Sequence, residues 1–205
     1  MISLLTASGR TFDLLEPRPS MVCIEDVAHH LALVNRYSGA TRRPLSVAEH
    51  SLLVAEILER DGGVRDALLL RAALFHDAHE AYLNDITAPV KALLQHWNVP
   101  LQAIERPIVH AVESHFGTAG AAWRHAIVIK HADLRAYATE VRDLLPPHAE
   151  PLYSVNRAAV RELGIEAVDW IDLNDRDGMD WTDWRLAFRC RHEELAVRLE
   201  LEAAP

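Results

Sequence analysis

Residues 73–91 read ALFHDAHEAYLNDITAPVK, in which His76 and Asp77 stand side by side and His79, Glu80, Asp85 and Lys91 follow. The preceding RDALLLRAALF is dominated by leucine and alanine, so these ionisable groups arrive where a core helix would otherwise stay apolar. Adjacent His and Asp at the end of a buried helix are costly unless a partner or a metal compensates them. Residues i, i+3 and i+4 share a helix face, so His76, Asp77, His79 and Glu80 fall within one turn, and His76 and Asp77 lie about 100° apart around the axis. A metal between this helix and its neighbours would touch both. His50, in the first turn of an earlier helix, and Asp133, on a later one, would complete a shell of two imidazoles and two carboxylates.

Such a mixed nitrogen and oxygen shell suits one divalent ion of Mn, Fe, Co, Ni or Zn better than calcium, without discriminating among them, and magnesium fits the imidazoles less well. Six-coordination would leave room for a phosphate oxygen and a water, a hydrolytic arrangement. Glu80 and Asp85 would orient or deprotonate the nucleophile. Arg36 and Lys91 would supply positive charge for a phosphate, arginine being able to bind two oxygens at once. Position alone also fits plainer roles: Glu80 and Asp85 as solvated helix-end charges, Asp133 as a core acid paired with Arg135 or His131, Lys91 as a surface lysine. His29 precedes Arg36 by seven residues on one predicted helix, which turns both toward the substrate unless His29 packs beneath that helix.

The elements that must position these residues are mostly helical. ISLLTASGRTFDLL gives a small hairpin turning at Ser8-Gly9, and EPRPS is a connector. Ile24, Val27, Leu31 and Val34 have helical spacing over residues 24–37. SGATRRP is a loop, after which Ser46 and Glu49 form the S-x-x-E capping-box signature before HSLLVAEILER, which ends at Gly62-Gly63. The next predicted helix runs over 64–83, with Asn84 as a left-handed stop. Further helices are expected over 90–97, 101–116 and 125–145, then loops with one short helix from 146 to about 182, and an amphipathic helix over 183–202.

With 205 residues, half of them apolar, the chain suits one domain with a core over about 24–145 and a C-terminal helical extension. A formal charge of -9 without a dense basic cluster argues against capture of nucleic acid or an anionic membrane. No apolar run approaches the roughly 20 residues of a spanning helix and MISLLTASGR is no signal peptide, so a cytoplasmic protein is expected. Cys23 and Cys190 form neither a zinc motif nor a disulfide framework. Twelve histidines are more than this length normally carries, and a homo-oligomer stays open.

With the histidine, the HD pair and the downstream aspartate in place, the sequence resembles the HD-domain metal-dependent phosphohydrolases. Their pattern H…HD…D falls on His50, His76-Asp77 and Asp133. LVNRY, SVAEHSLLVA, FHDAHEAYLNDITAPVK and KHADLRAYATE look like the corresponding blocks of the bacterial deoxyribonucleoside 5'-monophosphatases of that superfamily. The segment from SGRTFDLLEPRP to SVAEHS is also similar to small bacterial and phage HD hydrolases, a dATP triphosphohydrolase among them. The resemblance implies an all-α HD-type bundle, metal ligands at His50, His76, Asp77 and Asp133, catalytic acids at Glu80 and Asp85, and a phosphate grip by Arg36 and Lys91. The implied activity is hydrolysis of the 5'-phosphoester of a nucleotide, with a monophosphate as the first expectation. A deoxynucleoside triphosphate is the alternative, for which Arg42 and Arg43 offer extra charge. His79 stands where these families usually have a small residue, and Asn84 where they often have glycine. A di-iron oxygenase of similar outline would need a second metal, for which His110, His115, His125 and His131 are available by count. A binding protein that does not turn over is the remaining reading.

Overall fold

Leu4 and Phe12 flank a turn that Gly9 makes at φ 80°, a conformation glycine adopts without steric cost. β1 (Ser3–Leu5) and β2 (Thr11–Asp13) therefore pair antiparallel, with Leu4 opposite Phe12. The computed structural model describes residues 2–146 and 154–204. Within them this hairpin holds the only named strands, and ten α-helices make up the rest, an all-α fold with a small N-terminal hairpin. The hairpin is anchored by Asp26, a buried acid that accepts from the Ser8 backbone N–H and hydroxyl at 2.7 and 2.8 Å.

α1 (Ile24–Leu33) is shorter than the predicted helix. Val34 is extended and Asn35 bridges Ser46, so Arg36 lies on a tight turn, Arg36–Gly39, with Tyr37 and Ser38 at φ 56° and 52°. α2 (Val47–Arg60) begins at Ser46, whose hydroxyl accepts from Glu49 N–H. The return half of the expected capping box is absent, because the Glu49 carboxylate takes Arg43 instead through two 2.8 Å bonds.

α3 (Ala67–Leu74) stops where the sequence predicts continuation. Phe75 stacks on Phe116 at 3.9 Å and meets Phe188 edge-on, which pins the chain as it leaves the helix. From there the amides of Ala78, Glu80 and Ala81 donate to carbonyls three residues back, those of Phe75, Asp77 and Ala78. Such turns hold about three residues each, so side chains at i and i+3 eclipse. Asp77 and Glu80 consequently lie on one side of the chain, in closer angular register than a regular α-helix would give them. α4 (Glu80–Leu83) ends at Asn84, whose φ of 62° was expected but whose ψ of 168° is extended rather than left-handed helical.

α5 (Ala88–His96), α6 (Leu101–Phe116), α7 (Ala119–Arg124), α8 (Ala126–Leu144), α9 (Ser154–Glu162) and α10 (Trp181–Glu202) follow, α7 being unforeseen. Residues 147–153 of the expected loop lie outside the described residues. α2 runs through the centre, with α3, α8 and α10 against it and α1 lying along α10. Alanines 55, 73, 132 and 136 allow close approach, and Leu53, Val54, Leu70, Phe188 and Leu195 fill the core. Burying one such large side chain stabilises by about 1.5–3 kcal/mol, which offsets the cost of burying ionisable groups at the core's edge. No helix among the described residues is long and apolar enough to cross a membrane.

Positive φ with extended ψ is nearly confined to glycine and costs other residues on the order of 1–3 kcal/mol. Asn84→Gly should raise the urea midpoint, by about 1 kcal/mol in stability, and Asn84→Val should lower it. Indistinguishable midpoints for the three chains would mean that this backbone is unstrained.

Candidate metal centre

α2, the turns after α3, and α8 bring four side chains together. His50 is fully buried, and its Nε2 lies 3.2 Å from Asp133 Oδ1 and 3.7 Å from Asp77 Oδ2. His76 Nε2 is 3.1 Å from the same Asp77 oxygen. Donor atoms of His50, His76 and Asp77 all lie within 4.8 Å of one another, the only such His/Cys/Asp/Glu group of three or more among the described residues. Asp133 falls outside that set but joins it through His50, while its Oδ2 accepts from Lys130 Nζ at 2.5 Å.

The other nitrogen of each imidazole is already committed. His50 Nδ1 sits 2.6 Å from Glu140 Oε1, and His76 Nδ1 sits 2.8 Å from the Ala73 carbonyl. Both partners are acceptors, so both Nδ1 atoms donate, and each neutral ring then carries its lone pair on Nε2. Neither Nε2 has a hydrogen-bond partner. Two lone pairs and two carboxylate oxygens thus face one another, a repulsive arrangement that a proton or a cation between them relieves. Metal bonds of about 2.0–2.2 Å put neighbouring ligands roughly 3.0–3.5 Å apart, which the 3.1 and 3.2 Å separations meet and the 3.7 Å one slightly exceeds. The donor set fits a divalent ion.

Electrostatics separate the acids into two kinds. Burial disfavours charge on Asp77, but His76 and His50 hold its carboxyl well below the usual range. Burial likewise opposes ionisation of Asp133, and the His50 imidazole, 3.2 Å from its Oδ1, outweighs it to lower its pKa. For Glu80, burial and then the charges of Asp77 and Asp85 hold the carboxyl well above its ordinary value. Asp85 is raised chiefly by burial. His50 itself loses charge stability to burial and to Arg36, yet Glu140 and Asp133 prevail and push it up to about 9.

A cleft of about 210 Å³ opens on this centre, lined by Arg36, Asp77, Glu80, Asp85, Lys91 and Asp133 among others. Arg36 Nε lies 3.3 Å from Glu140 Oε2, with NH1 3.8 Å from Asp77. Lys91 pairs with Glu105 at 3.5 Å. His29 is not brought to the cleft: its ring meets Trp181 of α10 edge-on at 5.3 Å, and because α1 ends at Leu33 the seven-residue spacing to Arg36 gives no shared face. His79 is largely buried beside Asp77, where desolvation lowers its pKa, and it does not line the cleft. Sequence reasoning missed Glu140, Lys130 and Tyr37. Glu140 was detectable, since it follows Asp133 by seven residues on one helix face. Lys130 was marked by its place three residues before Asp133. Tyr37 carried no signal, because its position depends on the strained turn.

A scan against models of known protein families finds no match. An uncharacterized protein of Rhodobacter capsulatus is 50% identical over 90 residues, which cover 42% of this chain and 45% of that protein. The chain therefore spans just under half of that relative's length. The uncharacterized protein YfdR of Escherichia coli K12 is 31% identical over 139 residues, 68% of this chain and 70% of YfdR.

With a chelator present, stability should fall as pH rises from about 6.5 to about 9, because the raised His50 contributes fully below its unfolded pKa and is lost as it deprotonates in the fold. A divalent ion held by this donor set would take the place of that proton. Mn²⁺ at a hundred times its Kd should stabilise by about 2.7 kcal/mol, raise Tm, cancel the alkaline loss, and do none of this in His76→Ala. A wild-type Tm indifferent to divalent ions between pH 6 and 9 rules the centre out.

Proposed function

Because the chain belongs to the same protein family as YfdR of Escherichia coli, itself uncharacterized, its chemistry must be argued from its own site, and we propose a metal-dependent phosphohydrolase that cleaves the 5'-phosphoester of nucleotides. Deoxyribonucleoside 5'-monophosphates are the substrates put first. The observation that carries the reading is the meeting of the His50 and His76 Nε2 atoms with Asp77 and Asp133, beside a cleft that also presents Glu80, Asp85, Arg36 and Lys91. The resemblance to the HD-domain phosphohydrolases supports it, since each residue of that pattern falls at this one place.

His50, His76, Asp77 and Asp133 would hold the ion, with Mn, Co, Fe, Ni or Zn suited to the donors and magnesium less so. A divalent ion supplies Lewis acidity to a phosphoryl oxygen and makes a nearby water more acidic. The chain's own residues do the remainder. Arg36 binds phosphoryl oxygens through the N–H groups that Glu140 leaves free, and Lys91 and Lys130 add charge at the rim. Glu80 takes a proton from the attacking water as its oxygen bonds to phosphorus, and the P–O5' bond breaks to free the nucleoside. That proton then passes to the departing 5' oxygen. Asp85, whose charge acts on Glu80, keeps Glu80 basic enough to accept it.

The monophosphate is favoured over a triphosphate by the fate of Arg43. It is bound to Glu49, Asp177 and the Leu173 carbonyl, and neither it nor Arg42 lines the cleft, so the charge invoked for a longer phosphate chain is not presented there. The oxygenase reading finds no support from the four histidines it required, since none enters the cluster at His50.

A screen of metal-loaded protein against ribo- and deoxynucleoside mono-, di- and triphosphates, with phosphate resolved from triphosphate, should show phosphate release from deoxynucleoside monophosphates. Glu80→Gln should lower kcat by roughly 10²–10⁴-fold while metal content and nucleotide binding persist. Turnover unaffected by that change removes Glu80 from the mechanism. A metal-loaded chain that binds nucleotides and hydrolyses none is a binding protein instead.

A further inference from the structure

Glu140 is fully buried on α8 and lines no part of the cleft, yet both its oxygens are engaged toward the site. Oε1 accepts from His50 Nδ1 at 2.6 Å. Oε2 accepts from Tyr37 Oη at 2.6 Å and from Arg36 Nε at 3.3 Å. We propose that Glu140 is a positioning residue, a single carboxylate that aims the metal-facing nitrogen of His50 and, with its other oxygen, keeps Arg36 turned to the substrate phosphate. The phosphate half rests on the function proposed above; the His50 half stands on the geometry of the centre.

Two consequences of removing this anion make the role specific. His50 loses the acceptor that keeps its proton on Nδ1, so the ring is free to place that proton on Nε2, where it excludes a cation. Arg36 loses its nearest carboxylate. The next is Asp77, whose Oδ2 already lies 3.8 Å from the guanidinium, and an arginine that closes on Asp77 takes an oxygen the metal needs. Glu140 thus supports the centre from both sides, by orienting one ligand and by holding a competing cation away from another. The turn that bears Arg36 is itself tied down through Tyr37, a residue held at φ 56°.

Glutamine tests this, because its amide carbonyl can accept from His50 or from Arg36 and Tyr37, but its NH₂ cannot replace the second acceptor. Calorimetric titration with Mn²⁺ alone, then with inorganic phosphate on the Mn²⁺-loaded chain, should show one of the two affinities reduced roughly 10–100-fold in Glu140→Gln. Tyr37→Phe, which leaves Oε1 untouched, should keep the wild-type affinity for Mn²⁺. Both affinities unchanged in folded Glu140→Gln, or Mn²⁺ affinity lost equally in Tyr37→Phe, overturns the proposal in favour of a merely structural acid. If Glu140→Gln does not fold, the Co²⁺-loaded wild type decides: the shifted Nδ1 proton of buried His50 should exchange more slowly than that of His76, whose side chain is 14% exposed. Equal exchange overturns the proposal. A wild-type chain that binds Mn²⁺ but no phosphate sinks the functional reading alone, whereas one that binds no Mn²⁺ sinks both.

Discussion

Two imidazole nitrogens and two carboxylate oxygens cannot occupy the space between α2, α3 and α8 without a positive charge among them. His50 and His76 each donate through Nδ1 to an acceptor behind them, so their lone pairs point inward at Asp77 and Asp133. A proton on His50 resolves the conflict, and Glu140 behind the ring, with Asp133 in front of it, pushes its pKa up to about 9 despite complete burial. The rest of the fold can be understood as what is needed to keep these four groups from moving apart. An aliphatic core on α2, α3, α8 and α10 surrounds them, with buried alanines on the facing helices.

The helical skeleton was legible because its signals are local. Ser46 before α2, Gly62-Gly63 after it and the apolar spacing of α6, α8 and α10 need no knowledge of the tertiary structure. The break at Phe75 was not legible. Helix periodicity continues unbroken through residues 64–83, and only the stacking of Phe75 on Phe116 and its contact with Phe188, both distant in sequence, end the helix. The same holds for Arg36, whose helix stops at Leu33 because Asn35 pairs with Ser46 across the loop. His29 was misplaced for that reason.

The site was legible to the extent that its residues announce themselves by type. A His-Asp pair in an apolar run is visible in sequence, as are His50 beside a capping serine and Asp133 in an apolar helix. Glu140 was passed over although it sits in the same quoted block as Asp133. Its seven-residue spacing from Asp133 puts it on the same helix face, but that spacing does not say what it binds. Its role depends on three partners, Tyr37, Arg36 and His50, which lie about a hundred residues away, and no spacing rule connects them.

The division of the acids into a lowered pair and a raised pair bears on which can be ligands and which can carry protons. Asp77 and Asp133 are ionised because the imidazoles beside them favour the charge, and an ion in the same position would favour it more. Glu80 and Asp85 are raised by burial, and for Glu80 the charge of Asp77 adds to it. A divalent ion in place of the His50 proton would add one unit of positive charge within a few ångströms of Asp77 and offset part of what raises the Glu80 carboxyl, whose larger cause is burial. An ion there would then lower the Glu80 pKa and favour the ionised form that a general base needs. On the proposed reading, therefore, a cation held by His50, His76, Asp77 and Asp133 would both complete the ligand shell and favour the basic form of Glu80.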